Sequence, residues 1–206
     1  MTAIRHIVFD IGRVLIHYDP ELAYLELIPD AERRRWFLAN ICTPAWNLEQ
    51  DRGRGWEEAE AELIAAHPEE ESLVRAFRQN WPLMVPHAYE GSVAILEWLI
   101  DEGWDVTLLT NFHDETFRDA LRRYPFLSRP RGATVSAEIG VLKPDPAIYA
   151  HHANVFGLDP AATFFIDDSA ANVAGAREAG WQAVLFTGPE QLREDLAARC
   201  VRVYHT

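Results

Sequence analysis

The chain has little cysteine, little positive charge and no long apolar run, and each scarcity removes a class of function. Cys42 and Cys200 are its only cysteines, and neither lies in a CxxC or histidine-rich setting, so a disulfide framework or a zinc centre is not expected. Nineteen lysines and arginines stand against thirty-two acidic residues, a formal net charge of −13. That balance opposes a general grip on nucleic acid or on anionic membranes. No apolar stretch approaches the roughly 18 residues that a membrane span needs. The opening residues, Met1 to His6, run straight into a strand-like segment without a signal-type apolar region, which makes a reducing cytoplasm the expected setting. Internal repeats and low-complexity tracts are not evident either.

What is present fits one enzyme-sized unit. Hydrophobic residues make up 49% and charged residues 25% of the 206, enough for a buried core in an α/β domain with room for a small accessory domain. Ile4 to Phe9 is β-branched and apolar and ends at Asp10, as a buried strand would. From about residue 20 to 86, apolar positions such as Leu22, Leu25, Ile28, Phe37, Leu63 and Val74 recur at helical spacing and predict several amphipathic helices. Trp36, Trp46, Trp56 and Trp81 belong to this stretch and either fill core or wall a pocket. From Glu90 onward, helices are predicted over 91–102, 114–123, 146–154 and 170–179, alternating with strands over 106–110, 133–135, 163–166 and 183–186. Gly103 and Gly180 sit just past helix ends, which favour a left-handed residue. The pattern predicts an α/β fold, a doubly wound parallel sheet whose ligand lies at the carboxyl ends of its strands.

Polar residues gather at those ends. Asp10 follows the first strand, Thr110-Asn111 the second and Asp167-Asp168 the run Thr163 to Ile166, while Lys143 lies in a connection. Taken singly, Asp10 and Thr110-Asn111 read equally as helix caps or turns, and Lys143 as a solvated residue before proline. Adjacent carboxylates after an apolar strand are harder to explain, because like charges raise one another's pKa unless a cation compensates. Together the set supplies a carboxylate nucleophile, hydroxyl and amide donors, an ammonium and an acidic pair. Those are the parts of phosphoryl transfer, in which positioning and charge neutralisation do most of the catalysis. Asp10 with Asp167 and Asp168 offers hard oxygen ligands for Mg²⁺.

Four motifs carry a family resemblance: Val8-Phe9-Asp10-Ile11-Gly12-Arg13-Val14-Leu15, Leu108-Leu109-Thr110-Asn111, Leu142-Lys143-Pro144-Asp145-Pro146 with Ile148-Tyr149, and Phe165-Ile166-Asp167-Asp168-Ser169 with Asn172, Gly175, Ala176, Ala179 and Gly180. In order and spacing they resemble the haloacid dehalogenase-like hydrolase superfamily, in particular a capped phosphatase branch that includes α-glucose-1-phosphate phosphatases. The resemblance implies a Rossmann-like core, residues 1–16 and 87–206, with a helical cap over 17–86. It implies Asp10 as nucleophile and metal ligand, the Gly12 carbonyl as a further ligand of Mg²⁺, and Thr110 and Asn111 as binders of the phosphoryl group. Lys143 would stabilise charge, Asp167 and Asp168 would hold the metal directly or through water, and Asn172 would orient that acidic loop. The expected activity is hydrolysis of a small phosphorylated metabolite through an aspartyl-phosphate on Asp10.

One position departs from the phosphatase pattern. Where the commonest version of the first motif has a second Asp acting as general acid and base, this chain has Gly12, and a missing proton donor costs about 10²–10⁴-fold for a poor leaving group. His17 and Asp19, on the way out of the motif, are either a substitute relay or plain linker, and Arg13 either faces substrate or closes a salt bridge. A 2-haloacid dehalogenase also lacks the second Asp, but that branch typically has uncharged residues where Asp167 and Asp168 stand. A catalytically impaired phosphate-binding module is the alternative outside enzymes. A receiver-type signalling domain has its acidic pair ahead of the acceptor and no cap, the wrong order for this chain.

Overall fold

The computed structural model describes residues 2–201. Five strands, β1 (His6–Phe9), β2 (Asp105–Thr110), β3 (Ala133–Val135), β4 (Thr163–Asp167) and β5 (Gln182–Leu185), form one sheet in the order β3-β2-β1-β4-β5. Every neighbouring pair is parallel, with His6 in register with Asp105 on one side and Thr163 on the other. The chain therefore winds outward in both directions from β1, and the reversal of direction falls at the strand that ends on Asp10.

Strand alternation splits the core into two layers. Ile7, Phe9, Leu108, Phe164 and Ile166 face one side, where they pack with Ile95, Leu96 and Leu99 of one helix and Leu192 and Leu196 of another. Val8, Leu109 and Phe165 face the other, against Ile148, Tyr149, Val173, Ala176 and Trp181. Near-continuous burial along β2 and β4 is what strands covered on both faces require.

The insert that follows β1 carries α1 (Ala31–Asn40), α2 (Pro44–Asp51), α3 (Trp56–Ala66), α4 (Glu71–Gln79) and α5 (Trp81–Met84), preceded by a 3₁₀ turn at Pro20–Tyr24. The chain leaves and returns through one neck. Ile16 bridges Ala88, the His17 N–H donates to the His87 carbonyl at 3.0 Å, and the Tyr89 N–H donates to Leu15 at 2.8 Å. The insert's Tyr24, Phe37, Trp56, Val74, Phe77 and Trp81 join the same apolar cluster as the sheet residues. Its first two helices start on side-chain caps: Asp30 accepts from the Arg33 N–H, and Thr43 from the Trp46 N–H ahead of Pro44.

The remaining helices are α6 (Glu90–Asp101), α7 (Asp114–Arg123), α8 (Ser136–Ile139), α9 (Pro146–Phe156), α10 (Ala170–Glu178) and α11 (Pro189–Ala197). Gly103 and Gly180 have φ of 81° and 85°, the left-handed conformation expected of residues just past helix ends. Two helices, α8 and α11, were not expected from the pattern: α8 is a single turn, and α11 has few apolar positions. The first strand also begins later than its apolar run. Ile4 is buried but Arg5 bonds through its N–H to Ala162 ahead of the ladder.

Candidate active site

Four connections converge at the carboxyl ends of β1, β2 and β4. Asp10, Asp167 and Asp168 each present a carboxylate oxygen within 4.8 Å of the others. Lys143, almost fully buried, lies between the first two: its Nζ is 2.8 Å from Asp10 Oδ1 and 2.6 Å from Asp167 Oδ2, and also donates to the Leu109 carbonyl at 3.0 Å. Burial alone would discharge this lysine, but the two carboxylates outweigh it and hold the ammonium above its ordinary range. Burial acts on Asp10 in the opposite sense and raises its pKa; Lys143 opposes that rise and Asp167 adds to it. Asp168 is raised too, by burial and by its neighbour Asp167. Arg13, at φ 58°, comes within 4.0 Å of Asp168, so the salt-bridge reading of that residue holds.

The rim residues position one another. The Asn111 side chain donates to the Lys143 carbonyl at 3.0 Å and accepts from the Lys143 N–H at 2.8 Å. It thus fixes the lysine's backbone, a role that the sequence did not reveal. Asp167 accepts from the Ser169 N–H at 2.8 Å and from the Asn172 amide at 3.0 and 3.1 Å, so Asn172 does contact the acidic loop. Gly175 lets α10 approach the lysine segment: a Cβ there would stand 2.7 Å from the Pro144 carbonyl oxygen. Gly12 is different, since a Cβ at that position would meet nothing within 4 Å.

A cavity of about 110 Å³ opens above this rim. Asp10, Gly12, Thr110, Asn111 and Lys143 form its floor, and Asn172 also reaches it. Its walls come from the insert and its neck: Tyr18, Asn47, Asp51, Trp56, Trp81 and Val85. Of the four tryptophans singled out by spacing, Trp56 and Trp81 line the cavity, Trp46 packs edge-on against Phe77, and Trp36 is exposed beneath Arg33. His17 stacks on His87 and bonds Tyr89, while Asp19 caps the 3₁₀ turn through the Glu21 N–H. Neither lines this cavity.

Asp51 escaped the sequence reading. It is the last residue of α2, next to Arg52-Gly53, and in sequence it looks like a solvated helix end. In the fold Asp51 lines the cavity, and its carboxylate accepts from Asn47 Nδ2 at 3.1 Å and lies near the backbone N–H of His113. Burial pushes its pKa up to about 7, with the His113 N–H opposing.

A family model described as haloacid dehalogenase-like hydrolase matches residues 4–180. An (S)-2-haloacid dehalogenase 4A from Burkholderia cepacia is 32% identical over 98 residues, 47% of this chain and 42% of that protein. A flavin mononucleotide hydrolase 1 from Arabidopsis thaliana is 28% identical over 110 residues, 52% of this chain and 44% of that protein. The chain thus aligns with less than half the length of these curated relatives. Among solved structures, a HAD family enzyme from Bacteroides thetaiotaomicron, complexed with magnesium and inorganic phosphate, superposes with a TM-score of 0.71 at 21% identity, covering 90% of this chain and 95% of that one.

Proposed function

The chain belongs to the haloacid dehalogenase-like hydrolases, and from that premise we propose a magnesium-dependent phosphohydrolase acting on a small phosphate monoester, with sugar phosphates as the preferred class. In this reading residues 1–16 and 87–206 form the catalytic core and 17–86 the cap. The observation that carries it is the carboxylate cluster of Asp10, Asp167 and Asp168 around a single buried ammonium. Three carboxylates so close repel one another unless another cation joins them, and hard oxygen donors suit magnesium. Asp10, Asp168 and the Gly12 carbonyl would hold it, with Asp167 as ligand or as the acceptor that orders the loop. Bound there, magnesium would neutralise the oxygens of the phosphoryl group.

The chain's own residues do the rest. Burial favours the acid form of Asp10, and Lys143, 2.8 Å away, opposes it and so favours the carboxylate whose oxygen would attack phosphorus. Thr110 and Asn111 line the cavity floor, where the phosphoryl oxygens would lie. Attack forms the phosphorus–Asp10 bond and releases the alcohol; water then cleaves the acyl phosphate and restores the carboxylate. The aromatic walls exclude bulk water from the reacting atoms.

A second reading, 2-haloacid dehalogenase, draws on the Burkholderia cepacia relative. The site's charge argues against it. A haloacid carboxylate would share the cavity with Asp10 and Asp51, while the floor's ammonium is already shared between Asp10 and Asp167. A panel of phosphorylated metabolites and 2-haloacids, assayed with and without Mg²⁺, decides. Phosphate release that needs the metal is expected. Halide release without metal would replace the reading, and ligand binding without turnover would leave a phosphate-binding module.

A further inference from the structure

We propose that Asp51, brought in from the insert, is the proton donor and acceptor that position 12 lacks. The proposal rests on the phosphohydrolase reading and adds to it the group that protonates the leaving oxygen. Three observations place Asp51 for this task. Asp51 lines the same cavity as Asp10, Gly12 and Lys143. Glycine at position 12 is not imposed by crowding, because a Cβ there meets nothing within 4 Å; the space before the nucleophile is open to a group arriving from elsewhere. The end of α2 is also docked rather than loose: the Ser136 hydroxyl donates to the Asp51 carbonyl, and a Cβ at Gly53 would stand 2.8 Å from the Ala137 carbonyl. A second tie lies one turn further on, where Trp56 Nε1 donates to His113 Nδ1 at 3.0 Å.

In the first half-reaction Asp10 Oδ bonds to phosphorus as the phosphorus–oxygen bond of the ester breaks. The departing oxygen takes the proton of Asp51 and leaves as the alcohol. In the second, Asp51, now a carboxylate, accepts a proton from the attacking water. The phosphorus–Asp10 bond breaks, and inorganic phosphate carries the hydroxyl away. Around Asp51 stand Asp10, Lys143 and Tyr18 in its cavity, Arg13 and Asp19 along the neighbouring one, Glu49 and Arg52 on its own turn, and the His113 N–H ahead of α7, while α8, packed against α2, carries the exposed Glu138. Burial is the largest influence on its proton affinity, and it favours the protonated form near neutrality.

Glycerol phosphate, whose alcohol is a poor leaving group, and p-nitrophenyl phosphate, whose phenolate needs little protonation, separate the role from mere structure. Asp51→Asn should lower kcat/KM on glycerol phosphate by about 10²–10⁴-fold and on p-nitrophenyl phosphate by less than about tenfold, because only the first needs a proton from the enzyme. Wild type should lose activity on glycerol phosphate as pH rises past about 7, and Asp51→Asn should lack that limb. Asn47→Ala removes a donor that favours the ionised acid and should move the limb to higher pH; this serves if Asp51→Asn does not fold. Equal losses on both esters, or a limb that stays in place in the variants, would overturn the proposal while leaving the phosphohydrolase intact. A wild type that cleaves neither ester removes both.

Discussion

The sheet rim and the helical insert face each other across one cavity but are held by opposite means. At the rim, buried polar side chains hold one another. Lys143 binds two carboxylates and a carbonyl, Asn111 fixes its backbone, and Asn172 and the Ser169 N–H hold Asp167. In the insert, apolar side chains pack with the sheet, and apart from Arg34, Glu60, Glu70 and Asp51 many of the charges sit outside in Arg–Glu pairs such as Arg75–Glu71. Exposed pairs of this kind contribute about 0–1 kcal/mol each. The rim is therefore intolerant of single changes and the insert's surface is not. Changes on the insert's outer surface leave the rim's contacts in place.

Substitutions test that contrast, beginning with the strongest. Asp10→Asn should reduce phosphate release by at least about 10⁴-fold, since no other carboxylate replaces a nucleophile; retained turnover would remove Asp10 from its role. Chelation of divalent metal should silence the enzyme by about 10²-fold or more and Mg²⁺ should restore it, as read by phosphate release. Gly175→Ala should destabilise by about 1–3 kcal/mol in a denaturant titration, because its methyl group meets the Pro144 backbone. An unaltered midpoint would show that α10 can give way.

Asp51→Asn should show a pH-dependent gain in stability. The folded carboxyl titrates near 7 and an unfolded aspartate near 3.8, so between those values the native state binds the additional proton. Wild-type stability then falls as pH rises through that window and levels off above it. The variant lacks this slope, and its melting temperature should gain on wild type by a few degrees between pH 4 and 7. A constant difference would contradict the buried acid. Smallest of all, Trp36→Ala should alter stability by no more than about 0.5 kcal/mol, since that ring is exposed beneath Arg33. A large loss there would mean that the insert's surface is less tolerant than described.

How much of this was legible in the sequence follows from the same division. The rim could be read because each of its residues closes an apolar strand or precedes a proline, so local pattern and chemistry agree. Asp10, Thr110, Lys143, Asp167 and Asp168 all converge where strand order reverses. Position alone did not disclose what Asn111 does, since its contact with Lys143 spans 32 residues of chain. The insert gave up its helices but not their orientation: equal spacing placed Trp36 outside and Trp56 against His113. Asp51 was invisible for a related reason. A carboxylate at a helix end before Arg-Gly resembles solvated surface, and only the docking of Gly53 on Ala137 turns it inward.

That docking point has a kinetic implication. Joined to the base at Ile16–Ala88 and again at Gly53–Ala137, the upper half of the molecule cannot swing freely on one pivot. Between these fastenings Tyr18, Asn47 and Asp51 border both the inner chamber and the wider cavity beside it. Bulk at Tyr18 would narrow that passage, whereas bulk at Asn47 would also remove the donor to Asp51.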